Sequence, residues 1–579
     1  MKVVSERYSE VMNQVVRPAS KFQASLEMID RSVESDATVT TSDAMPFSTG
    51  VLDKVHECDY ITFEKDFFKV GSDLRILPVT GFLKNGYVSS AMSDENGVFQ
   101  EIPIIEFNFS RVRNFIALTY EFGIAYPTQI RVTSYLEGKQ QGQFISTPDS
   151  VNFIDAVNHI SECDRVTFEF LGMSEPNRRL RLSRLIFGYE KKFETGDVIS
   201  TSHTLSVDPL SSSLPYEKIS VTVSNHNKDY NPDNPQGIWE YFTNGQPISV
   251  RYGVTIDGVT EWMEAGRLLL SDAPTVDGQT ATFNAVDVLS TLTNYYYKGL
   301  WRAEGISLYD LAVDVLSDAD ITDYSLDDSL RGITTLYPLP VLPHRECLQL
   351  IANAGECVIY TNNRGTIVLE KQILDETPSD FYLDYTKLFD KPIVKKTEEL
   401  KSVDVSVHTL YKLSNRVELC RHTSVEIYGE REVQVEYVMA TDLETVIDGG
   451  EIISATYYAT TAFLKIKAES TVSIMVSGHQ IIDDVSVVST KVHNRGEACP
   501  INNPLITNDG RAKSIGEWVA TYLSSRNTYE ADFRQDFSLD VNDVIQIRSE
   551  FEENIPARVT KLQYKLPGQK GTISVRRMK

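Results

Sequence analysis

A chain of 579 residues with 41% hydrophobic and 10% aromatic side chains has room for about four domains, each with its own core. A net charge of −25 and a pI near 4.9 exclude a protein that wraps nucleic acid tightly, because phosphate contacts need lysine and arginine. Six cysteines without a C-x-x-C pair exclude a zinc ribbon, and they are too few for a disulfide scaffold in so long a chain.

The first residues, Met1 to Asn13, are polar and charged, and no apolar run approaches about 18 residues. The expectation is a protein without signal peptide or membrane span, made with reduced thiols in a cytoplasm. Ser5 to Val16 predicts a short helix, stopped by Pro18. Lys21 to Ile29 alternates like a strand, with Phe22, Ala24, Leu26 and Met28 on one face. Ser32 to Gly50 is rich in Ser, Thr and Asp and reads as a linker.

From Tyr60 to Glu190 alternating strands follow one another without a helical period. Ile105, Phe107 and Phe109 form one such stripe, and Val166, Phe168 and Phe170 another. This pattern predicts a β-sandwich. A second β region spans Ser200 to Asp287, where Ile219, Val221 and Val223 alternate. Asp257-Gly258 and Asp277-Gly278 signal two tight hairpins, which together suggest a small closed or nearly closed barrel.

The period changes near Gly305. Ser307 is a good N-cap, and Leu308, Leu311, Ala312, Val315 and Leu316 have helical spacing. A second helix is predicted over His344 to Ala354, with Gly355 as its terminating glycine. Asn362-Asn363-Arg364-Gly365 then joins two strands in a hairpin, so that Trp301 to Asp390 reads as an α+β segment. Strands return from Lys395 to Val492. One more helix carries Ile515, Trp518, Val519, Tyr522 and Leu523, and strands near Val544 to Ile547, Ala557 to Tyr564 and Thr572 to Val575 close the chain.

Motifs for catalysis are missing from the sequence. There is no H-E-x-x-H, no G-x-S-x-G and no P-loop. Cys347 lies on the apolar side of its helix and reads as core rather than nucleophile. The pairs Asp327-Asp328 and Asp483-Asp484 read as solvated turns, since glycosidase carboxylates must face each other across a cleft. Asn225 to Asn231 is oxygen-rich but lacks the glycine and closing glutamate of a calcium loop, so a structural loop is expected. Arg178, Arg179, Arg181 and Arg184 alternate with leucines. An exposed ladder is the plain reading, and a patch for an acidic glycan or partner the sharper one. No catalytic, cofactor or metal residues are assigned, and no ligand-binding residue.

The segment Leu214 to Gly253 contains an Asn-rich turn, Asn-Pro dipeptides and a final GQPISVRYG strand. It resembles a stretch of the tail hub and tail-associated proteins of phages that infect Gram-positive bacteria. Ala265 to Leu292, Leu308 to Leu316, Pro338 to Glu370, and the end from Asn503 onward resemble the same family in the same order. Phe107 to Gly188, ending PNRRLRLSRLIFG, is similar to a domain often found in minor structural proteins of such phages.

The resemblance implies a mainly β fold with α+β parts. A first tube-like barrel is expected from 1–35 plus 193–297, with an inserted carbohydrate-binding-like β-sandwich at 36–192. A small α+β domain is expected at 298–394, and a second barrel with a β insertion and one helix at 395–579. The resemblance further implies a non-enzymatic subunit of the virion's tail tip or baseplate hub, assembled in the host cytoplasm without cofactor. Three copies would close the tail tube, two barrels per copy giving six similar units under a sixfold ring. Its partners would be further copies of itself, the distal tail protein ring, the tape-measure protein, and tip or receptor-binding proteins. DNA would pass through without stable binding. Many relatives carry long C-terminal fibre or wall-degrading domains, and this sequence ends at Lys579 without one. Alternatives are an adhesin that binds a host-wall glycan through the sandwich, and the hub of a tail-like bacteriocin or contractile injection particle.

Overall fold

The alternation of small β-branched and aromatic residues produces a mostly β structure, 54% strand and 11% helix. The computed structural model describes all residues except 30–32, 43–61, 63, 65–85, 212–213, 235–236, 240–241, 526, 550 and 579. The fold separates into two units, Met1–Ala24 with Phe193–Lys579, and Ser25–Lys192.

The smaller unit is a β-sandwich. One sheet orders Thr38–Thr41, Ile104–Phe115, Ile160–Met173, Pro127–Leu136 and Lys139–Ser146. In the other, Arg179–Glu194 pairs with both Tyr87–Met92 and Leu118–Phe122, and Leu118–Phe122 pairs with Asn152–Asp155. The inward residues of each strand interleave in an aromatic core. Phe107 meets Phe187 edge-on at 4.9 Å and Phe168 at 5.7 Å. The stretch read as a linker from Ser32 is structured in part. Val33–Asp36 is one helical turn with Val33 buried, and Thr38–Thr41 adds a strand to the first sheet. Val33 and Val39 supply apolar anchors among the Ser, Thr and Asp residues. Arg113 fixes the turn by donating to the Asp36 carboxylate at 2.6 and 3.0 Å. The rest of that stretch, 43–50, lies outside the described residues.

In the larger unit, antiparallel strands form one continuous sheet. Pro247–Ile256 pairs with Val259–Leu270 through the Asp257-Gly258 turn, where both residues take the positive φ that a type I′ hairpin requires. The sheet continues through Thr280–Val286, Lys218–Ser224 and Val198–Ser206. Val198–Ser206 then pairs with Ile555–Leu566, which continues to Lys570–Arg577, Asn527–Arg534 and Ile393–Lys396. The two regions expected to be barrels therefore share one sheet. A common aromatic cluster fills the junction. Tyr252 stacks on Phe537 at 4.5 Å, and Tyr564 lies 5.5 Å from Tyr252 and 5.3 Å from Phe537. Tyr382–Leu383 also joins this sheet, through Val544–Ile547.

The α+β segment packs helices Leu308–Asp318 and His344–Gly355 around a core with Cys347, Ile351 and Leu369. Ser307 caps the first helix as its sequence predicts, accepting the Asp310 N–H at 3.0 Å. Gly355 plays a different part from the one expected. Glu356, not Gly355, takes the left-handed position that ends the second helix. A side chain on Gly355 would meet Leu330 Cδ2 at 2.3 Å, so packing explains this glycine. Helix Asp509–Ser524 packs on the long strand Leu400–Glu426, with Ile515, Trp518 and Val519 in the same core as Val403 and Val405. Beyond that point Leu400–Glu426 and Thr471–Lys491 extend as a ladder. Near its end Val472, Ile474 and Val476 pack with Val435 and Leu464 of a further three-stranded sheet.

Candidate assembly surface and the buried polar network

An assembly surface on a sheet protein is sought where a strand edge is unpaired and apolar side chains stay exposed. Both occur together at one end of the shared sheet. Ile393–Lys396 pairs with Asn527–Arg534 on one side, and among the described residues no strand pairs with its other side. A groove of about 790 Å³ lies beside it, lined by Leu388, Phe389, Val394, Tyr529, Ile547 and Ile555. Large apolar side chains at and around the groove face solvent: Tyr385 is 80% exposed, Phe551 96%, Ile393 63% and Val394 54%. Lysines 395 and 396 follow them on the strand, a common device against indiscriminate edge pairing. Charges at the groove are mixed, with Arg577 against Glu552 at 2.9 Å and Arg548 near Asp384 at 3.9 Å.

The groups that would suit catalysis lie elsewhere and inside the protein. His203 Nε2 sits 2.6 Å from Glu217 Oε1, and His203 Nδ1 lies 3.1 Å from the Tyr252 hydroxyl. Asp287 accepts the Glu217 N–H at 3.0 Å and the Thr361 hydroxyl at 2.9 Å. Burial pushes the His203 imidazole down to about 3, raises the Glu217 carboxyl, and pushes Asp287 up to about 6. The histidine–glutamate pair is therefore held neutral, sharing one proton. His203 has no exposed surface, so the arrangement joins strands instead of meeting a substrate. Sequence reading missed this network because its members are spread from position 203 to 361 without a motif.

The residues singled out from sequence are found dispersed. Cys347 is buried with its thiol toward the Leu342 carbonyl at 3.6 Å, and burial raises its pKa to about 12. That is the environment of a core residue. Asp327 caps a 3₁₀ turn by accepting the Ser329 N–H at 2.8 Å. Asp483-Asp484 is not a turn. It lies inside Thr471–Lys491, where Asp483 meets His408 Nδ1 at 2.8 Å, a cross-strand hydrogen bond that local sequence does not reveal. Asn225 ties its loop together by donating to Asn231 Oδ1 at 2.9 Å and accepting the Tyr230 N–H at 3.2 Å.

The arginine ladder is not exposed as expected. Arg178 and Arg181 are buried, Arg178 beside Glu175 at 2.7 Å and Arg181 paired with Glu64. A bulge between Arg179 and Arg181 breaks the alternation, so Leu180, Arg181 and Leu182 are all buried. On the outer face of the five-stranded sheet, polar side chains pair with one another. Arg131 meets Glu169 at 2.5 Å, and the Arg165 guanidinium covers the Tyr135 ring at 4.0 Å. One face of the Tyr135 ring is thus covered by a guanidinium.

No protein-family model and no curated protein sequence matches the chain. Among solved structures it is similar to the 43 kDa tail protein of prophage MuSo2 from Shewanella oneidensis, with 12% identity, 66% of this chain and 94% of that chain covered, and a TM-score of 0.35. A tail protein from Neisseria meningitidis gives 9%, 68%, 93% and 0.37 for the same quantities. The prophage tail protein gp18 from Listeria monocytogenes gives 7%, 67%, 91% and 0.38. At these values the likeness carries no conclusion about function.

Proposed function

We propose that this chain is a structural subunit of the hub at a phage tail tip, where copies join in a ring of three that closes the tail tube. One observation carries the reading. The two regions read as barrels lie side by side in a single sheet, and that sheet stops at a strand with one unpaired edge, Ile393–Lys396, beside an apolar groove. A contact between one end of a subunit and a different surface of the next is heterologous, and it closes into a ring when the rotation fits. Residues of the family-like segments build the barrel cores: Tyr230 packs on Phe283 at 5.4 Å, and Tyr252 on Phe537. The ring would meet the distal tail protein on one side and tip proteins on the other, with the tape-measure protein and DNA within it. A tail-like bacteriocin or injection particle would use the same ring.

Light scattering on the purified protein, with negative-stain images of the same sample, tests the proposal. Three-subunit rings with a central hole are expected. A monodisperse monomer that stays monomeric when mixed with its particle's distal tail protein would overturn it.

A further inference from the structure

A second open strand edge lies in the long ladder. Thr471–Lys491 pairs with Leu400–Glu426 from end to end, but on its other side it pairs with Ala440–Asp448 only as far as Gln480. The Ile481 N–H still reaches the Met439 carbonyl at 2.8 Å. From Asp483 to Lys491, among the described residues, no strand pairs with that side. Backbone groups of alternate residues point to the same side of an antiparallel strand, so those of Asp483, Val485, Val487 and Ser489 face the open edge.

Open edges are ordinarily guarded by charge or proline. The opposite edge of this sheet, Glu497–Ile501, holds Pro500. The outer strand Gly429–Glu436 carries Glu430, Arg431, Glu432 and Glu436. Val485 to Thr490, VSVVST, has neither guard, and Val485 and Val487 are 50% and 62% exposed. Left bare, such a strand is a template for pairing with another chain.

The edge Ile393–Lys396 fits it in one direction. Set antiparallel with Val394 opposite Val485, Lys395 falls opposite Asp484 and Lys396 opposite Asp483. Lys396 and Asp484 have no ion pair among the described residues, so each gains a neighbour of opposite charge. A parallel alignment on the same two valines sets the lysines against Ser486 and Val487 instead. Side chains two apart share a face, so Val487 follows Val485 onto the side of Val394, which lines the apolar groove. We infer that Asp483–Lys491 of one copy adds as an antiparallel strand to Ile393–Lys396 of the next, with Val485 and Val487 laid over the groove. Self-pairing of Asp483–Lys491 across a two-fold axis would close a dimer and leave the groove bare. Resting on the hub reading, this pairing supplies the second half of the subunit contact.

Cysteine cross-linking of the full chain tests the pairing. Opposed residues of antiparallel strands have Cβ atoms about 4.5–5.5 Å apart, within reach of a disulfide after a small shift. The variant V394C/V485C, oxidised mildly, is expected to give disulfide-linked multimers on a non-reducing gel. V394C alone and V485C alone are expected to match the parent, which sets the baseline for the native cysteines. No product above that baseline from the double variant overturns the inference, and so does a linked dimer from V485C or V487C alone, the mark of self-pairing. A second variant needs no new thiol. V485K/V487K is expected to lose the parent's assembly in light scattering, whereas V446K/I453K, exposed elsewhere on the ladder and its neighbouring sheet, is expected to keep it. Assembly of V485K/V487K like the parent overturns the inference. Rings of the parent without the V394C/V485C link sink the pairing and leave the hub reading. The link in open chains without rings keeps the pairing and sinks the hub reading.

Discussion

Single residues in this protein act mainly by tying distant strands together, and Asp287 is the clearest case. Its carboxylate caps the turn Val288–Thr291 through the Ser290 N–H and holds the Glu217 backbone and the Thr361 hydroxyl. Burial raises its pKa to about 6, above its ordinary value. A folded pKa above the unfolded one means stability that is complete in acid and is lost as pH rises through about 6. Replacement by asparagine removes the titration. Relative to D287N, the wild type is therefore expected to lose on the order of 3 kcal/mol between about pH 4 and about pH 7, read from urea midpoints. A wild-type-minus-variant difference that stays flat over that range would refute the assignment. Gly266 serves the same network by its lack of a side chain. A Cβ there would stand 2.4 Å from Glu217 Oε1, so G266A should displace the carboxyl from His203 and cost about 1–3 kcal/mol. Denaturation of G266A beside the histidine variant H203Q would show it, because the two losses should not add.

Elements follow their local sequences closely where the neighbours are local. Ser307 and Asp310 form the expected cap, and S307A should cost about 1 kcal/mol. The helix Asp509–Ser524 shows the opposite dependence. Its glycines and serines make it a weak helix by propensity, and it is held by Trp518 and its neighbours in the shared core. Trp518 stacks near Tyr522 at 6.2 Å and donates to the Gln372 carbonyl at 3.3 Å. W518A is expected to destabilise by about 3–5 kcal/mol and to open this helix to limited proteolysis before the sandwich unit is cut. Equal protection of the helix in variant and parent would show that the core tolerates the loss.

At the scale of the whole molecule the edge strand Ile393–Lys396, paired on one side only, and its groove are a feature that a lone copy leaves unsatisfied. Exposed aromatic rings at such an edge favour association through burial of apolar area, at roughly 25 cal/mol per Å². Charged replacements at Tyr385 and Phe551 alter exposed positions, so the fold should survive them. The variant Y385E/F551E is expected to run as a monomer under conditions where the parent forms rings, with an unchanged circular dichroism spectrum. Rings of unaltered mass in that variant would move the subunit contact away from the groove.

The sequence by itself determined the local order of this protein. The strand stripes at Ile219, Val221 and Val223, the Asp257-Gly258 turn and the Ser307 cap each depend on residues a few positions apart, and each is present in the structure. Only the tertiary structure decided what those elements meet. Ser202 and Gln563 are 361 positions apart, and the pairing of their strands makes one sheet from two regions distant in the chain. Arg181 looked like a solvated charge because an arginine is stable in water or beside a carboxylate, and nothing near it in the chain announces Glu64. Gly355 and Asp483 were misread for the same reason, since the Leu330 and His408 side chains that define their roles arrive from other elements. Periodicity records which face of a strand is apolar, whereas the partner of a buried charge and the neighbour of a sheet edge are set by closure over long loops, which leaves no local trace.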